Sequence, residues 1–264
     1  MDKIILGRYL PGDSLLYHLD PRGKFLLTFY FVGIVFLANN VASYAFLLAF
    51  VIFAVYLSKI NFGFFIKGLK PVFWLILFTV ALQLLFTPSS HPIWHWGIFT
   101  FSKEGLVIAG YIFMRFVLII FISTLLTLTT EALDLTDAIE FFLKPLKIFK
   151  FPVHEMTLML ALALRFVPTM MDEAEVIMNA QRARGVSFSE GPIMQRLKNL
   201  ISLLIPLFIS SYDRAPQLAT AMEARGYQGG ENRTKYRELT WKKIDTVVLL
   251  SFLVLFSTVY LLRG

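Results

Sequence analysis

The sequence predicts an all-α, polytopic membrane protein with about five transmembrane helices and a cytoplasmic-side region of long helices. Three observations carry that expectation. Hydrophobic residues make up 57% of the 264-residue chain and charged residues only 16%, against roughly a quarter charged in a soluble domain, and the mean hydropathy is +0.67. The apolar residues fall in long runs, not in short alternating segments. The basic residues gather between certain runs and avoid others, as the positive-inside rule requires of a chain that crosses a bilayer.

The candidate spans are residues 25–37, 41–57, 72–86, 107–127 and 244–262. The first is short: thirteen apolar residues rise only about 20 Å as a helix, against a hydrocarbon core of about 30 Å, so it must borrow flanking residues or thin the bilayer. Lys3, Arg8, Arg22 and Lys24 precede it, and Lys59, Lys67 and Lys70 follow the second run. Both stretches belong in the cytoplasm, which demands an even number of crossings between them. A hairpin turning at Asn39-Asn40 supplies two. Residues 87–106 carry Lys103 as their only base and hold Trp94 and Trp96, an aromatic belt on an outer loop, whereas residues 128–243 contain fifteen Lys and Arg and belong inside. The expected organisation is residues 1–127 as a four-span membrane region with the N-terminus inside, 128–243 as a cytoplasmic-side region, and 244–264 as the last span with the C-terminus outside. Residues 1–12 show no basic, apolar and small-residue succession of a cleaved signal peptide.

The cytoplasmic-side region is punctuated as three helices. Asp134 stands where it can cap a first helix, acids follow in its first turn, and Pro145 stops it. A second helix is expected over 153–183 and a third over 193–224, each about 45 Å long and each with one internal proline, Pro168 and Pro206, as a kink. Ala161, Ala163, Ala174, Ala215, Ala219 and Ala221 would let two backbones approach closely.

The last two helices close on the same words. Residues 172–186 and 213–227, offset by 41, share Asp172/Asp213, Ala174/Ala215, Ala180/Ala221, Ala183/Ala224, Arg184/Arg225 and Gly185/Gly226. Glycine at the position after a helix accepts the left-handed conformation that ends it, and arginine beside it meets the negative end of the helix dipole. That explains one copy without any function. Two copies with matching alanines and upstream aspartates suggest a device built twice, each presenting a planar cation on a rigid post, suited to bidentate pairing with a carboxylate of a partner.

These residues carry a resemblance. Pro11-Gly12-Asp13-Ser14, Leu19-Asp20-Pro21-Arg22, Thr129-Thr130 with Asp134-Leu135, Arg165-Phe166-Val167-Pro168 and above all the two Ala-Arg-Gly endings make the chain resemble, over nearly its whole length, the transmembrane T component of energy-coupling factor (ECF) transporters. These are ABC-type, ATP-driven importers of vitamins and other micronutrients in prokaryotic cell membranes. The resemblance implies a scaffold whose coupling region, residues 128–243, carries two coupling helices. Each tip would seat on one of two cytoplasmic P-loop ATPase subunits, and the membrane part would hold a small substrate-binding S component. Carried over by position, Arg184 and Arg225 would be the ATPase contacts, with Ala183, Gly185, Ala224 and Gly226 shaping the tips. The chain itself would be non-catalytic, with no cofactor, no metal and no nucleic-acid partner, and it has no Gly-x-x-x-x-Gly-Lys-[Ser/Thr] loop with which to cradle ATP.

Two alternatives remain from the residues alone. Asp134, Asp137 and Glu140, with Asp172, Glu173 and Glu175 as a second cluster, could serve a membrane-embedded transferase; an acid-rich helix start explains the first row equally well. A permease could bind substrate itself, although Arg115 and Gln83 are the chief polar residues within the spans. Arg115, in the middle of the fourth run, is either a functional cation or a structural one bonded to carbonyls or an acid, and Arg165 can snorkel. His91 and His95 have metal-like spacing, but Pro92 and Trp94 oppose a helix there, and His18 and His154 belong to the other side. Lys235, Arg237, Lys242 and Lys243 beside Trp241 read as an anchor on anionic lipid. The absence of cysteine excludes disulfides and thiolate metal sites.

Overall fold

The computed structural model describes residues 9–87, 94–96, 99–149, 151–229 and 239–263. Among them, the helices in chain order are α1 (Pro21–Leu37), α2 (Val41–Ser58), α3 (Phe62–Phe86), α4 (Lys103–Thr129), α5 (Ala132–Leu143), α6 (Val153–Ala183), α7 (Ile193–Ala224) and α8 (Lys243–Leu262). A 3₁₀ segment, Lys144–Phe149, follows α5. Between α3 and α4 lies a two-stranded antiparallel hairpin, β1 (Trp94–Trp96) and β2 (Phe99–Phe101), with Trp94 opposite Phe101 and Trp96 opposite Phe99. The chain is an all-α polytopic membrane protein with this one small hairpin.

Helix boundaries follow capping chemistry more than hydropathy. Asp20 accepts a hydrogen bond from Arg22 N at 2.8 Å and Pro21 fills the first turn, so α1 begins four residues before its apolar run and takes in two basic residues. Asn61 caps α3 through Gly63 N, and that helix runs through Lys67, Lys70 and Pro71 before its apolar part. Ser102 accepts from Gly105 N at 2.9 Å and starts α4 ahead of the apolar run. Asp134 does not cap α5. The helix starts two residues earlier, at Ala132, which leaves Asp134 in the first turn, still at the favourable end of the dipole. Helix α7 contains two internal prolines, Pro206 and Pro216, not one.

Among the described residues, five helices are long and apolar enough to cross a membrane: α2, α3, α4, α7 and α8. Helix α1 has 17 residues, about 25 Å, so by length the first expected span falls just short. Helix α7 qualifies by the apolar character of its first half, although the sequence places it in the cytoplasmic-side region.

The chain divides into two compact units, residues 1–139 with 238–264, and residues 140–237. In the first, α1, α2, α4 and α8 pack around Phe31, Ile34, Val35, Leu47, Val51, Leu118, Leu255 and Val259, all essentially buried. Helix α3 packs against α4 and leaves Trp74, Leu75 and Phe78 exposed, the outward apolar face expected of a helix surrounded by lipid.

At one end of this bundle, polar groups tie the N-terminal segment to three helices. Lys24 Nζ donates to the carbonyls of Tyr17 and Thr129 at 3.3 and 3.0 Å. Buried Asp245 accepts from the backbone N–H groups of Asp20, at 2.8 Å, and Lys242, at 2.6 Å. Leu10 N donates to Leu128 O at 3.1 Å. The Tyr17 ring packs close over Gly12, where a Cβ would meet it at 2.8 Å and push the ring aside. At the other end, Asn40 Nδ2 donates to Leu262 O at 2.8 Å. The start of α1 and the end of α8 therefore lie at opposite ends of the bundle.

Candidate functional site

The duplicated sequence is duplicated in backbone geometry. Helix α6 ends with Arg184 at φ −86°, ψ 7°, and α7 with Arg225 at φ −89°, ψ 8°. Gly185 and Gly226 follow in the left-handed region at φ 84° and 78°. Gly185 N donates to Arg182 O at 2.9 Å and Val186 N to Gln181 O at 3.0 Å; Gly226 N donates to Glu223 O at 2.9 Å and Tyr227 N to Met222 O at 3.0 Å. Each tip is a Schellman motif, which satisfies two end carbonyls and stops the helix within one residue. A Cβ on either glycine would meet nothing within 4 Å, so the sign of φ alone demands glycine.

Ala183, Arg184 and Gly185 are exposed, as are Ala224, Arg225 and Gly226. Neither guanidinium has a side-chain hydrogen bond or ion pair among the described residues. Both cations thus stand exposed at abruptly ended helices.

The two posts are also joined symmetrically. Glu173 on α6 accepts from Arg214 Nη2 on α7 at 2.9 Å and from the Ser210 hydroxyl. Ser211 Oγ lies 3.3 Å from Met170 Sδ. Glu173 with Arg214 and Met170 with Ser211 are each 41 positions apart, the offset of the sequence repeat. The two helices therefore meet at equivalent positions of the repeat. The same eleven residues separate Glu173 from Arg184 and Arg214 from Arg225. Each tip therefore projects about 16 Å from the crossing. Ala163, Ala174 and Ala215 line the groove beside it with Phe166, Met170 and Leu207, the small residues standing where the two helices come close.

Other sequence candidates sort differently. Pro168 and Pro206 lie inside α6 and α7. Arg165 is exposed on α6. Glu140 is buried and lies 3.8 Å from His154 Nδ1, and Glu173 is committed to Arg214 and Ser210. Among the described residues, no three His, Asp or Glu side chains stand together as a metal-binding group. His18 pairs with Asp13 at 2.8 Å. His91 lies outside the described residues, as do Lys3, Arg8, Lys235 and Arg237, and of His95 the structure describes only the backbone, in β1. Trp241 stacks over Gly23 and donates to Thr246 at 3.0 Å, with Lys242 and Lys243 opening α8. Among the described residues Arg115 bonds neither a carbonyl nor an acid: its Nη2 donates to the Tyr44 hydroxyl at 3.1 Å, and the guanidinium lies 5.0 Å above the Phe36 ring.

A multi-pass helical bundle, joined in sequence to a pair of helices with matching arginine ends, defines a class: a polytopic membrane protein with a duplicated helix ending. The model of the cobalt transport protein family matches residues 12–236. The chain is 55% identical to an energy-coupling factor transporter transmembrane protein of Lacticaseibacillus paracasei, over the whole length of both. It is 51% identical to the proteins so named in Bacillus subtilis and Streptococcus thermophilus, again over the whole length of each. The chain belongs to the cobalt transport protein family, among the energy-coupling factor transporter transmembrane proteins. The sequence motifs missed the Glu173–Arg214 clasp, although opposite charges at equivalent repeat positions were there to be read.

Proposed function

We propose that the chain is the non-catalytic scaffold of an ATP-driven micronutrient importer in a prokaryotic cell membrane. Arg184 and Arg225 couple it to two cytoplasmic P-loop ATPase subunits, and its membrane part carries a small substrate-binding S component. The observation that carries this reading is the symmetry of the two tips: matched Schellman ends, matched arms and unpaired exposed cations suit a partner that itself comes in two copies. The relatives' name, energy-coupling factor transporter transmembrane protein, supports the same reading, and the family description points to a metal ion as one class of cargo. The chain binds no ATP and needs no cofactor; it transmits ATPase closure along α6 and α7 as stiff rods.

In this reading the N-terminus faces the cytoplasm and the C-terminus the outside, supported by the positive-inside count and by the opposite placement of the α1 start and the α8 end. The test is a mild-detergent pull-down of the tagged chain from its host at native expression, with mass-spectrometric identification of what stays bound. Two ATPase copies and a small membrane protein are expected. Recovery of the intact, monodisperse chain alone contradicts the scaffold and returns the transferase and permease readings; saturable cargo binding without an S component would select the permease.

A further inference from the structure

Arg115 has a role that the coupling device does not use. By sequence it sits near the middle of α4, where a cation is most costly, but its contacts place it elsewhere. It touches Phe36, the last residue but one of α1, and Tyr44, the fourth residue of α2. It therefore lies about one helical turn inside the α1–α2 turn, level with the end of the bundle where Asn40 meets Leu262.

That end is stepped. Helices α1 and α2 have 17 and 18 residues, about 25 and 27 Å, whereas α3 and α4 have 25 and 27 residues, about 38 and 40 Å. A hairpin shorter than the hydrocarbon core of about 30 Å draws the headgroup layer inward beside it. The Arg115 guanidinium stands in the notch so formed, with α4 rising past it.

Its hydrogen bonding is incomplete. Of five donors, the described residues engage one, through Nη2, while Nε is buried with no partner. No carboxylate among the described residues pairs with it: Asp20, Asp134 and Asp245 act on Lys24 at the opposite end, and Glu104 is about 16 Å further along α4. The cation is nonetheless held in place. The Tyr44 ring is stacked on Tyr111 at 5.1 Å, and Phe36, itself 57% exposed, supports the guanidinium face.

We infer that Arg115 is a binding site for the phosphate of a membrane phospholipid in the leaflet at the α1–α2 turn. The phosphodiester is an acceptor-only anion that fits the planar fork, and the exposed Phe36 beside the guanidinium puts the site at the outer surface of the bundle.

The test is native mass spectrometry of the purified full chain titrated with dioleoylphosphatidylglycerol, with dioleoylglycerol as the phosphate-free control, for the wild type, Arg115→Leu and Arg115→Lys. Phosphatidylglycerol affinity is expected to fall at least fivefold in Arg115→Leu and two- to threefold in Arg115→Lys, which keeps the charge and loses the fork; dioleoylglycerol retention stays constant. Should Arg115→Leu fail to fold, Arg115→Lys decides alone. Equal phosphatidylglycerol affinity in wild type and variants overturns the site, as does a parallel loss of both lipids. Unchanged lipid binding with loss of a co-purifying membrane protein also overturns it, in favour of a partner's carboxylate.

Discussion

Replacing Gly185 or Gly226 by alanine isolates the contribution of the helix stop to the arginine tip. Neither position is crowded, since a Cβ would meet nothing within 4 Å, so packing contributes nothing to the penalty. What remains is the left-handed backbone, φ 84° and 78°, which costs a residue with a Cβ about 1–2 kcal/mol, a factor of roughly 5–30 in the population of the closed tip. The readout is amide hydrogen exchange at Val186 and Tyr227, whose N–H groups close the two motifs onto Gln181 and Met222. Gly185→Ala should speed exchange at Val186 by about 5–30-fold and leave Tyr227 unchanged; Gly226→Ala should do the reverse. Asparagine tolerates the left-handed region far better than alanine, so Gly185→Asn should restore most of the protection. Equal exchange for alanine and asparagine variants would refute the argument that φ alone demands glycine here.

Other expectations follow from the same geometry. The Glu173–Arg214 pair is partly exposed, 24% and 36%, so a double-mutant cycle by thermal denaturation should give a coupling of about 0.5–1 kcal/mol; a coupling near zero would remove the clasp from the account. Asp245→Ala leaves the buried Asp20 N–H and the part-buried Lys242 N–H without their acceptor and should cost about 1–3 kcal/mol, most of it from the buried Asp20 donor, seen as a lower melting temperature in detergent. If Pro168 and Pro206 are pivots, Pro168→Ala and Pro206→Ala should reduce transport with ATPase binding intact; unchanged transport would leave them as static kinks.

Much of this was legible because it is local chemistry. The bounds of α6 and α7 follow the sequence to the residue: Pro152 and Pro192 precede their first turns and Gly185 and Gly226 close them, and proline and glycine act on the backbone directly. The membrane helices were found through their apolar runs, with α2 and α8 starting at or within one residue of the expected position, but the starts of α1, α3 and α4 were not. Asp20, Asn61 and Ser102 cap helices through charged or polar first turns, and hydropathy does not register a cap. The hairpin between α3 and α4 was read only as an outer loop, because three-residue strands leave too little alternation to detect. The partners of Arg115 were missed for a different reason. Position within one helix says nothing about where its shorter neighbours end, and Phe36 and Tyr44 belong to those neighbours. At the candidate site the arginines and glycines were visible in the repeat, whereas the meeting of the two helices at equivalent positions emerged only from Glu173 bonding Arg214.

The most direct test of the scaffold account is the ATPase stoichiometry of the assembled complex, counted by mass photometry for wild type, Arg184→Glu, Arg225→Glu and the double variant. Two ATPase copies should bind the wild type. Each single variant should weaken one attachment, and the double variant should retain neither while its membrane part stays folded. A double variant that still carries both ATPases would contradict the assignment of Arg184 and Arg225 as the coupling contacts.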